Sequence, residues 1–275
     1  MKDYIETVEL FPKLNKMLIN LLSSLSIDEF HEPTQFPTWK VKDICAHLLD
    51  SSIRRLSGSR DSYQSLQTPK IEFYDDLIEY ITNIADRWTL AFSGVSPRII
   101  IKLIDQYQTE LYEYLKTLKP FERSFFAVSW AGEQESYNWF DIAREYTERW
   151  HHQMQIREAL HKESLYQDNL YYPVLDTFMR ALPYHYRNWK MNPGYVLSIG
   201  INGKTNWGWH LKWDDEIKLI TSPINEPQTK VMIDQDKVWK ILTRWNDRSA
   251  YKIEVEGNTE LGNHFLEMNC VLIKQ

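Results

Sequence analysis

The spacing of apolar residues predicts a long helix over residues 138–163, and the middle of this helix carries carboxylates and histidines. Glu148 and His152 are four residues apart, so their side chains lie on one face of the helix, one turn from each other. A carboxylate and an imidazole placed in this way can bind the same cation. The pair therefore predicts part of a metal site, provided that another element adds a ligand.

The pattern of an acidic residue followed four positions later by histidine is weak evidence when it stands alone. In a chain of this composition about one such match is expected by chance on helix spacing. The sequence contains three, at Asp43/His47, Glu148/His152 and Glu260/His264. For the last of these we expect only an exposed helix face near the terminus, with no role in a site.

His47 is the candidate for a third ligand. It lies on a predicted helix between Ile44 and Leu48, on the face that should point inward. A single histidine on an apolar face is usually a hydrogen-bonded core residue, but helix bundles assemble metal sites where inward faces meet. His47, Glu148 and His152 would leave open coordination positions, as in catalytic zinc sites. Zinc is the favoured metal, and nickel or iron also suits these ligands.

Other residues near these ligands have weaker predictions. Glu145 could handle protons next to the site, although an exposed carboxylate is the favoured interpretation. His151 should point about 100° away from His152 on the helix, so we expect it to have no role. Cys45 should be a small buried residue. Trp130 lies in a long loop before the ligand helix and could line a cofactor or substrate pocket.

Apolar periodicity divides the chain into a helical half and a mixed half. The first half predicts helices over about 4–25, 39–56, 73–92, 97–118 and 138–163, the last of them capped by Asn138. Such long helices indicate a four-helix bundle over residues 1–165. A helix from about Leu170 to Trp189, disturbed at Pro183, then leads into short β-rich runs. These runs, which end with a strand over 270–274, predict a small α+β domain over residues 166–275 with a mainly antiparallel sheet.

Composition limits the classes of function. Of the 275 residues 43% are hydrophobic and 25% are charged, which is typical of a globular protein. A net charge of −6 without a basic run argues against nucleic-acid binding. No signal-peptide pattern and no apolar run of about 18 residues is present, so we expect a cytoplasmic protein that does not enter a membrane. We expect small-molecule partners and either a monomer or a homodimer.

Two motifs together resemble a known family. They are FPTWKVKDICAHLLD and EYTERWHHQMQIREAL, and they resemble the signatures of mycothiol-dependent maleylpyruvate isomerases within the DinB-like metal-binding superfamily. The C-terminal run KILTRWNDRSAYKIEVEGNTEL is similar to the sterol-carrier-like domain of these proteins. The resemblance spans nearly the whole chain and implies a DinB-like four-helix bundle followed by a small sterol-carrier-like α+β domain. It also implies that His47, Glu148 and His152 are the metal ligands.

The resemblance further implies a cofactor and a reaction class. The cofactor would be a low-molecular-weight thiol, such as mycothiol or another cellular thiol, whose pKa a divalent metal lowers. A thiol-dependent isomerase would add this thiol to an electrophilic double bond, allow the bond to rotate and then eliminate the thiol. An S-transferase would leave the thiol attached to its acceptor. Arg248 would be the candidate catalytic group that binds an anion, although a solvated arginine at a helix end is an equally good interpretation.

Two positions depart from the pattern of the family. Gln155 stands where the family has an aspartate, and Asp247 stands where it has a glycine before the arginine. A glutamine could orient a ligand as the aspartate does, but without charge. One alternative function is therefore a non-catalytic binding protein with a structural metal and a pocket for an apolar ligand. Another is a metal-free cluster of hydrogen-bonded core residues.

Overall fold

A computed structural model describes residues 4–35, 39–63, 69–244 and 250–272 of the chain. The chain divides into two compact units. The first comprises Met1–Ala127, Glu135–Leu165 and Leu272–Gln275, and the second comprises Val128–Gln134 and Tyr166–Val271. The chain thus passes into the second unit between Leu165 and Tyr166. The short segment Val128–Gln134, which the sequence prediction included in the bundle, groups with the second unit.

The first unit is helical. Its helices are α1 (Phe11–Ser23), α2 (Val41–Arg55), α3 (Tyr74–Ala91), α4 (Pro97–Leu115) and α5 (Asn138–Ala159). Helix α2 packs against α3, α4 and α5, and α1 packs against α4 and α5. Apolar side chains at helical spacing fill the space between them, among them Leu18, Ile44, Leu48, Ile104 and Ile156. Burying each of these side chains stabilises the fold by roughly 1.5–3 kcal/mol.

Local sequence explains how two of these helices begin. Helix α4 starts at Pro97 directly after Ser96, as predicted, because the fixed φ of proline suits the first helical position. Helix α5 starts at Asn138, but its N-cap residue is Tyr137, so the prediction of Asn138 as the cap is wrong. The side-chain amide of Asn138 instead donates a hydrogen bond to the Lys119 carbonyl (2.9 Å) and ties the start of α5 to the loop that follows α4.

The second unit combines helices with one sheet. Its elements are α6 (Asp168–Met179), α7 (Leu182–His185), β1 (Val196–Asn202), β2 (Trp207–Trp213), β3 (Ile217–Ile220), β4 (Thr229–Asp234), α8 (Gln235–Leu242), β5 (Glu254–Glu256) and α9 (Thr259–Asn263). The break between α6 and α7 falls next to Pro183, as predicted. Helix α8 packs against β1 and β4, and α9 packs against β4 and β5.

The strand order of the sheet is β3-β2-β1-β4-β5. Strands β1 and β4 pair in parallel, and the other neighbouring strands pair antiparallel. Alternate residues of the three central strands point to one face and are fully buried, for example Ile199, Trp209 and Val231. This alternation fixes the register, because a slip by one residue would turn the apolar set away from the core.

One predicted strand is not formed in the part of it that the structure describes. Cys270–Leu272, the described part of the predicted strand 270–274, has no strand conformation. The Cys270 N–H donates a hydrogen bond to the Leu242 carbonyl (2.9 Å), so this segment follows the end of α8 instead of a strand. Among the helices that the structure describes, none has the length and apolarity that crossing a membrane requires.

Candidate metal centre

Helices α2 and α5 bring together the three side chains predicted as metal ligands. One ring nitrogen of His47, one of His152 and one carboxylate oxygen of Glu148 all lie within 4.8 Å of one another. Nε2 of His152 is 3.5 Å from Oε2 of Glu148, and the rings of His47 and His152 have their centroids 4.7 Å apart. Two histidines and a carboxylate therefore converge on one point inside the first unit.

The local sequence places each of these groups. On α5, the four-residue spacing puts Glu148 and His152 on the same face, as expected. On α2, the neighbours Ile44 and Leu48 are almost fully buried and hold the adjacent turn of the helix against the core. Trp39, just before α2, packs on the ring of His47 with its centroid 5.0 Å away. The imidazole is thus held between the indole and the face of α5.

Two buried polar links fix the register of α2 against α5. Nη1 of Arg55 forms an ion pair with Oδ2 of Asp141 at 2.5 Å, and both side chains are almost inaccessible to solvent. Nη2 of Arg149 donates a hydrogen bond to Oγ of Ser52 (2.9 Å). Both links join α2 to α5, the two helices that carry the candidate ligands. A sliding movement that would separate His47 from α5 would break both of them.

Hydrogen bonds orient the two histidines of α5. Nδ1 of His152 lies 2.7 Å from Oε1 of Gln155, and Nδ1 of His151 lies 3.0 Å from the backbone carbonyl of Thr147. A carbonyl oxygen accepts only, so each Nδ1 carries the proton in this arrangement. Each ring then presents the lone pair of Nε2 toward Glu148, at 3.5 Å for His152 and 4.0 Å for His151.

Burial and neighbouring charges set the ionisation of this group. Burial lowers the pKa of His47 well below its ordinary value, and the adjacent His152 lowers it further. Burial, again with His152, lowers the pKa of His151 to about 3. For Glu148, burial alone would raise the carboxyl pKa, but the imidazoles beside it, first His151, and the guanidinium of Arg144 lower it by more. At neutral pH the Glu148 carboxylate therefore lies beside the neutral imidazoles of His47 and His151.

This arrangement fits a divalent cation. Bonds of about 2.1 Å to a tetrahedral metal put two ligand atoms about 3.4 Å apart, close to the 3.5 Å between His152 and Glu148. Nδ1 of His47 is buried and has no hydrogen-bond partner in the described part of the chain, a deficit that a metal bound to this nitrogen would remove. Neutral imidazoles and an ionised carboxylate are also the protonation states that metal binding requires.

The other acid–histidine matches have different roles. Oδ2 of Asp43 accepts a hydrogen bond from the Lys40 N–H (2.9 Å) at the start of α2. His264 follows the end of α9, and its Nδ1 lies 3.0 Å from Oε2 of Glu267, whereas Glu260 is exposed. Within the described ranges, the only group of side chains that could hold a metal is the one formed by α2 and α5.

One expectation for the neighbouring residues of α5 is wrong. Glu145 is buried and forms ion pairs with Arg144 (3.1 Å) and with Arg149, so it is not an exposed carboxylate. His151 is also buried, with Nε2 4.0 Å from Oε2 of Glu148, but it lies outside the group of three candidate ligands, so the expectation that it has no role stays a prediction. The three-residue spacing from Glu148 to His151 was the sequence signal for this proximity, because residues three apart are also neighbours on a helix.

The two remaining candidates of the sequence analysis lie elsewhere in the chain. Trp130 belongs to the second unit, where its buried ring packs edge-to-face on Phe178 with a centroid distance of 6.2 Å. Its role with a cofactor stays a prediction. Arg248 and the preceding Asp247 lie outside the described residues, so the role of this arginine also stays a prediction. Cys45 is fully buried, as expected.

Comparison with known proteins identifies a similar fold but no family. No protein-family model matches the sequence, and no curated protein sequence matches it. Two of the matching solved structures align along most of the chain. A mutant of the mycothiol-dependent maleylpyruvate isomerase has a TM-score of 0.55 and 9% identity. The unmutated isomerase has a TM-score of 0.53 and 10% identity, and each match covers 90% of this chain and 91% of the other. The chain is therefore similar in fold to this isomerase.

Proposed function

We propose that this protein binds a divalent metal through His47, Glu148 and His152 and acts as a thiol-dependent isomerase or S-transferase on a small electrophilic molecule. The observation that carries the proposal is the convergence of these three groups within 4.8 Å, with the neutral imidazole of His47 and the ionised carboxylate of Glu148 among them. Zinc is the favoured metal, with nickel or iron as alternatives. The thiol would be mycothiol or another cellular thiol.

The fold similarity supports the choice of reaction class. The mycothiol-dependent maleylpyruvate isomerase shares the fold over most of both chains, although at 9–10% identity. We extend this similarity to a DinB-like four-helix bundle for the first unit and a sterol-carrier-like α+β domain for the second. Trp130 would contact the cofactor, and Arg248 would bind an anionic group of the substrate. We further propose a cytoplasmic protein, monomeric or homodimeric.

The side chains of the centre have separable tasks in this proposal. A divalent cation held there would act as a Lewis acid that lowers the pKa of a thiol reaching an open position. His47 and His152 provide neutral nitrogen ligands from two helices, and Glu148 provides the negative charge. Gln155 holds the ring of His152 through Nδ1, 2.7 Å from its Oε1, so that Nε2 faces the site. The Arg55–Asp141 pair keeps α2 and α5 in register.

A thiol screen tests the proposal. Zinc-loaded protein is incubated with mycothiol, glutathione, coenzyme A or cysteine and with the general electrophile monochlorobimane. We expect conjugation by at least one thiol that requires zinc and is lost in His47→Ala and Glu148→Ala. The exposed His31 offers a matched control, and His31→Ala should keep full activity. A cis-enone carboxylate such as maleylpyruvate then separates isomerase from transferase activity.

Two other experimental results would contradict the proposal and support a different role for the protein. Zinc bound without activity toward any thiol would favour a binding protein with a structural metal. Absence of bound metal in the wild-type protein, with unchanged folding, would favour a hydrogen-bonded core cluster. Thermal unfolding with and without zinc distinguishes these results, because a ligand that binds only the folded state raises its stability.

A further inference from the structure

Gln155 occupies the position next to the candidate ligand His152, on the side opposite to Glu148. Its Oε1 lies 2.7 Å from Nδ1 of His152, and both side chains are buried, with 4% and 8% of their surface exposed. A glutamine amide differs from a carboxylate because it has both an acceptor oxygen and a donor NH₂ group. Rotation of the amide by half a turn exchanges these two groups without moving the rest of the side chain.

Rotation of the Gln155 amide matters because the other ring nitrogen of His152, Nε2, faces Glu148. When Oε1 faces Nδ1, the ring proton is on Nδ1, and the Nε2 lone pair faces Oε2 of Glu148 at 3.5 Å. Two acceptors then face each other beside the buried ring of His152, with the Glu148 side chain 26% exposed, and a cation between them would make this arrangement favourable. Without a cation, a proton on Nε2 of His152 would turn the same contact into a hydrogen bond to Glu148.

We propose that Gln155 is a positioning residue that allows His152 to exchange between two neutral tautomers according to whether the site holds a metal. In the metal-loaded protein Nδ1–H donates to Oε1 of Gln155, and Nε2 is a ligand. In the metal-free protein the amide is rotated, its NH₂ donates to Nδ1, and Nε2–H donates to Glu148. One proton leaves Nδ1 and one arrives at Nε2 through solvent, so the ring stays neutral in both states. This inference rests on the proposed metal site.

His151 offers a comparison, because its ring should not change tautomer. Nδ1 of His151 lies 3.0 Å from the backbone carbonyl of Thr147, which can only accept. His151 should therefore keep its proton on Nδ1 with or without metal. A carboxylate at position 155 would impose the same restriction on His152. The amide is thus expected to stabilise the metal-free site, whereas a carboxylate would favour the metal-loaded one.

The tautomers can be measured directly in the full-length protein. Protein labelled with ¹⁵N at histidine is compared by long-range ¹H–¹⁵N NMR after chelator treatment and after zinc loading, at a pH where the rings are neutral. We expect His152 to change from Nε2–H to Nδ1–H on zinc loading, and His151 to remain Nδ1–H. In the isosteric variant Gln155→Glu we expect Nδ1–H on His152 in both states and about tenfold tighter zinc binding. In Gln155→Met we expect zinc binding roughly 10–100-fold weaker.

Two results would overturn the inference. One is Nδ1–H on His152 in the chelated wild-type protein, which would show that no exchange occurs. The other is a Gln155→Glu protein with the same His152 tautomer as the wild type after chelation. If the wild-type protein binds no zinc, the proposed function fails, but the comparison of the two chelated proteins still decides whether Gln155 sets the tautomer. An unchanged His151 signal in each variant verifies that the helix is intact.

Discussion

Acid should destabilise the metal-free protein because the buried His151 and the partly buried His47 are held neutral at the candidate metal centre. Burial lowers the pKa of His151 to about 3, and it lowers the pKa of His47 well below the ordinary value. In the unfolded chain both rings regain a pKa of about 6.5. Below that pH the unfolded state therefore binds protons that the folded state cannot accept, and stability falls as the pH falls.

The size of this effect follows from proton linkage. Each such histidine contributes a slope of up to about 1.4 kcal/mol per pH unit once the pH is below its unfolded value. Between pH 6.5 and about pH 5 the two rings together should remove about 3 kcal/mol. Carboxylates add little in this window, because they titrate in the unfolded state near pH 4. Since a domain is typically stable by only about 5–15 kcal/mol, the loss is large.

Urea unfolding followed by tryptophan fluorescence measures the effect on chelator-treated protein across this pH range. In His151→Gln the loss of stability between the two pH values should fall to about half, roughly 1.6 kcal/mol. The exposed His31 offers a control, and His31→Gln should keep the wild-type slope. Equal slopes in His151→Gln and the wild type would refute the reasoning, as would a wild-type stability that does not change with pH. Zinc should reduce the slope at a given pH by competing with protons for the rings.

Three further predictions concern the scaffold and the ligand. Arg55→Met should leave the buried Asp141 without its ion-pair partner and lower the free energy of unfolding by about 3 kcal/mol in urea titrations. A loss below about 1 kcal/mol would show that the pair does not hold α2 and α5 together. Gly257→Ala should lower the melting temperature by several degrees, because Gly257 has a φ of +92° and a Cβ there would lie 2.1 Å from the Gln228 carbonyl oxygen. An unchanged melting temperature would contradict this geometry. Zinc at about 100 times its dissociation constant should stabilise the folded protein by about 2.7 kcal/mol in the same titrations, and no shift would argue against a metal site in the folded state.

The helical half of the fold was predictable because its signals are local. Apolar residues recur at helical spacing, and Ser96 with Pro97 marks a helix start. The same local rule placed Glu148 and His152 on one face, since residues four apart are neighbours on any helix. The inward position of His47 followed from its apolar neighbours. Predicting the positions of these three residues required no knowledge of how the helices pack.

Tertiary contacts decided what the sequence did not reveal. The approach of α2 to α5 depends on buried links such as Arg55–Asp141, whose partners are far apart in the chain and carry no local pattern. Glu145 was expected at the surface because a carboxylate usually is, but two arginines on the same helix neutralise it in the interior. The predicted last strand has an apolar sequence at Cys270–Leu272, but its backbone follows α8 instead of pairing with the sheet.

The most direct test of the candidate metal centre is the metal content of protein purified without a histidine tag. We expect about one zinc ion per chain in the wild-type protein after dialysis against zinc, measured by mass spectrometry. His47→Ala, Glu148→Ala and His152→Ala should each lose the ion, and His31→Ala should retain it. Full metal occupancy in all three ligand variants would contradict the assignment of the metal centre, even if the protein were active.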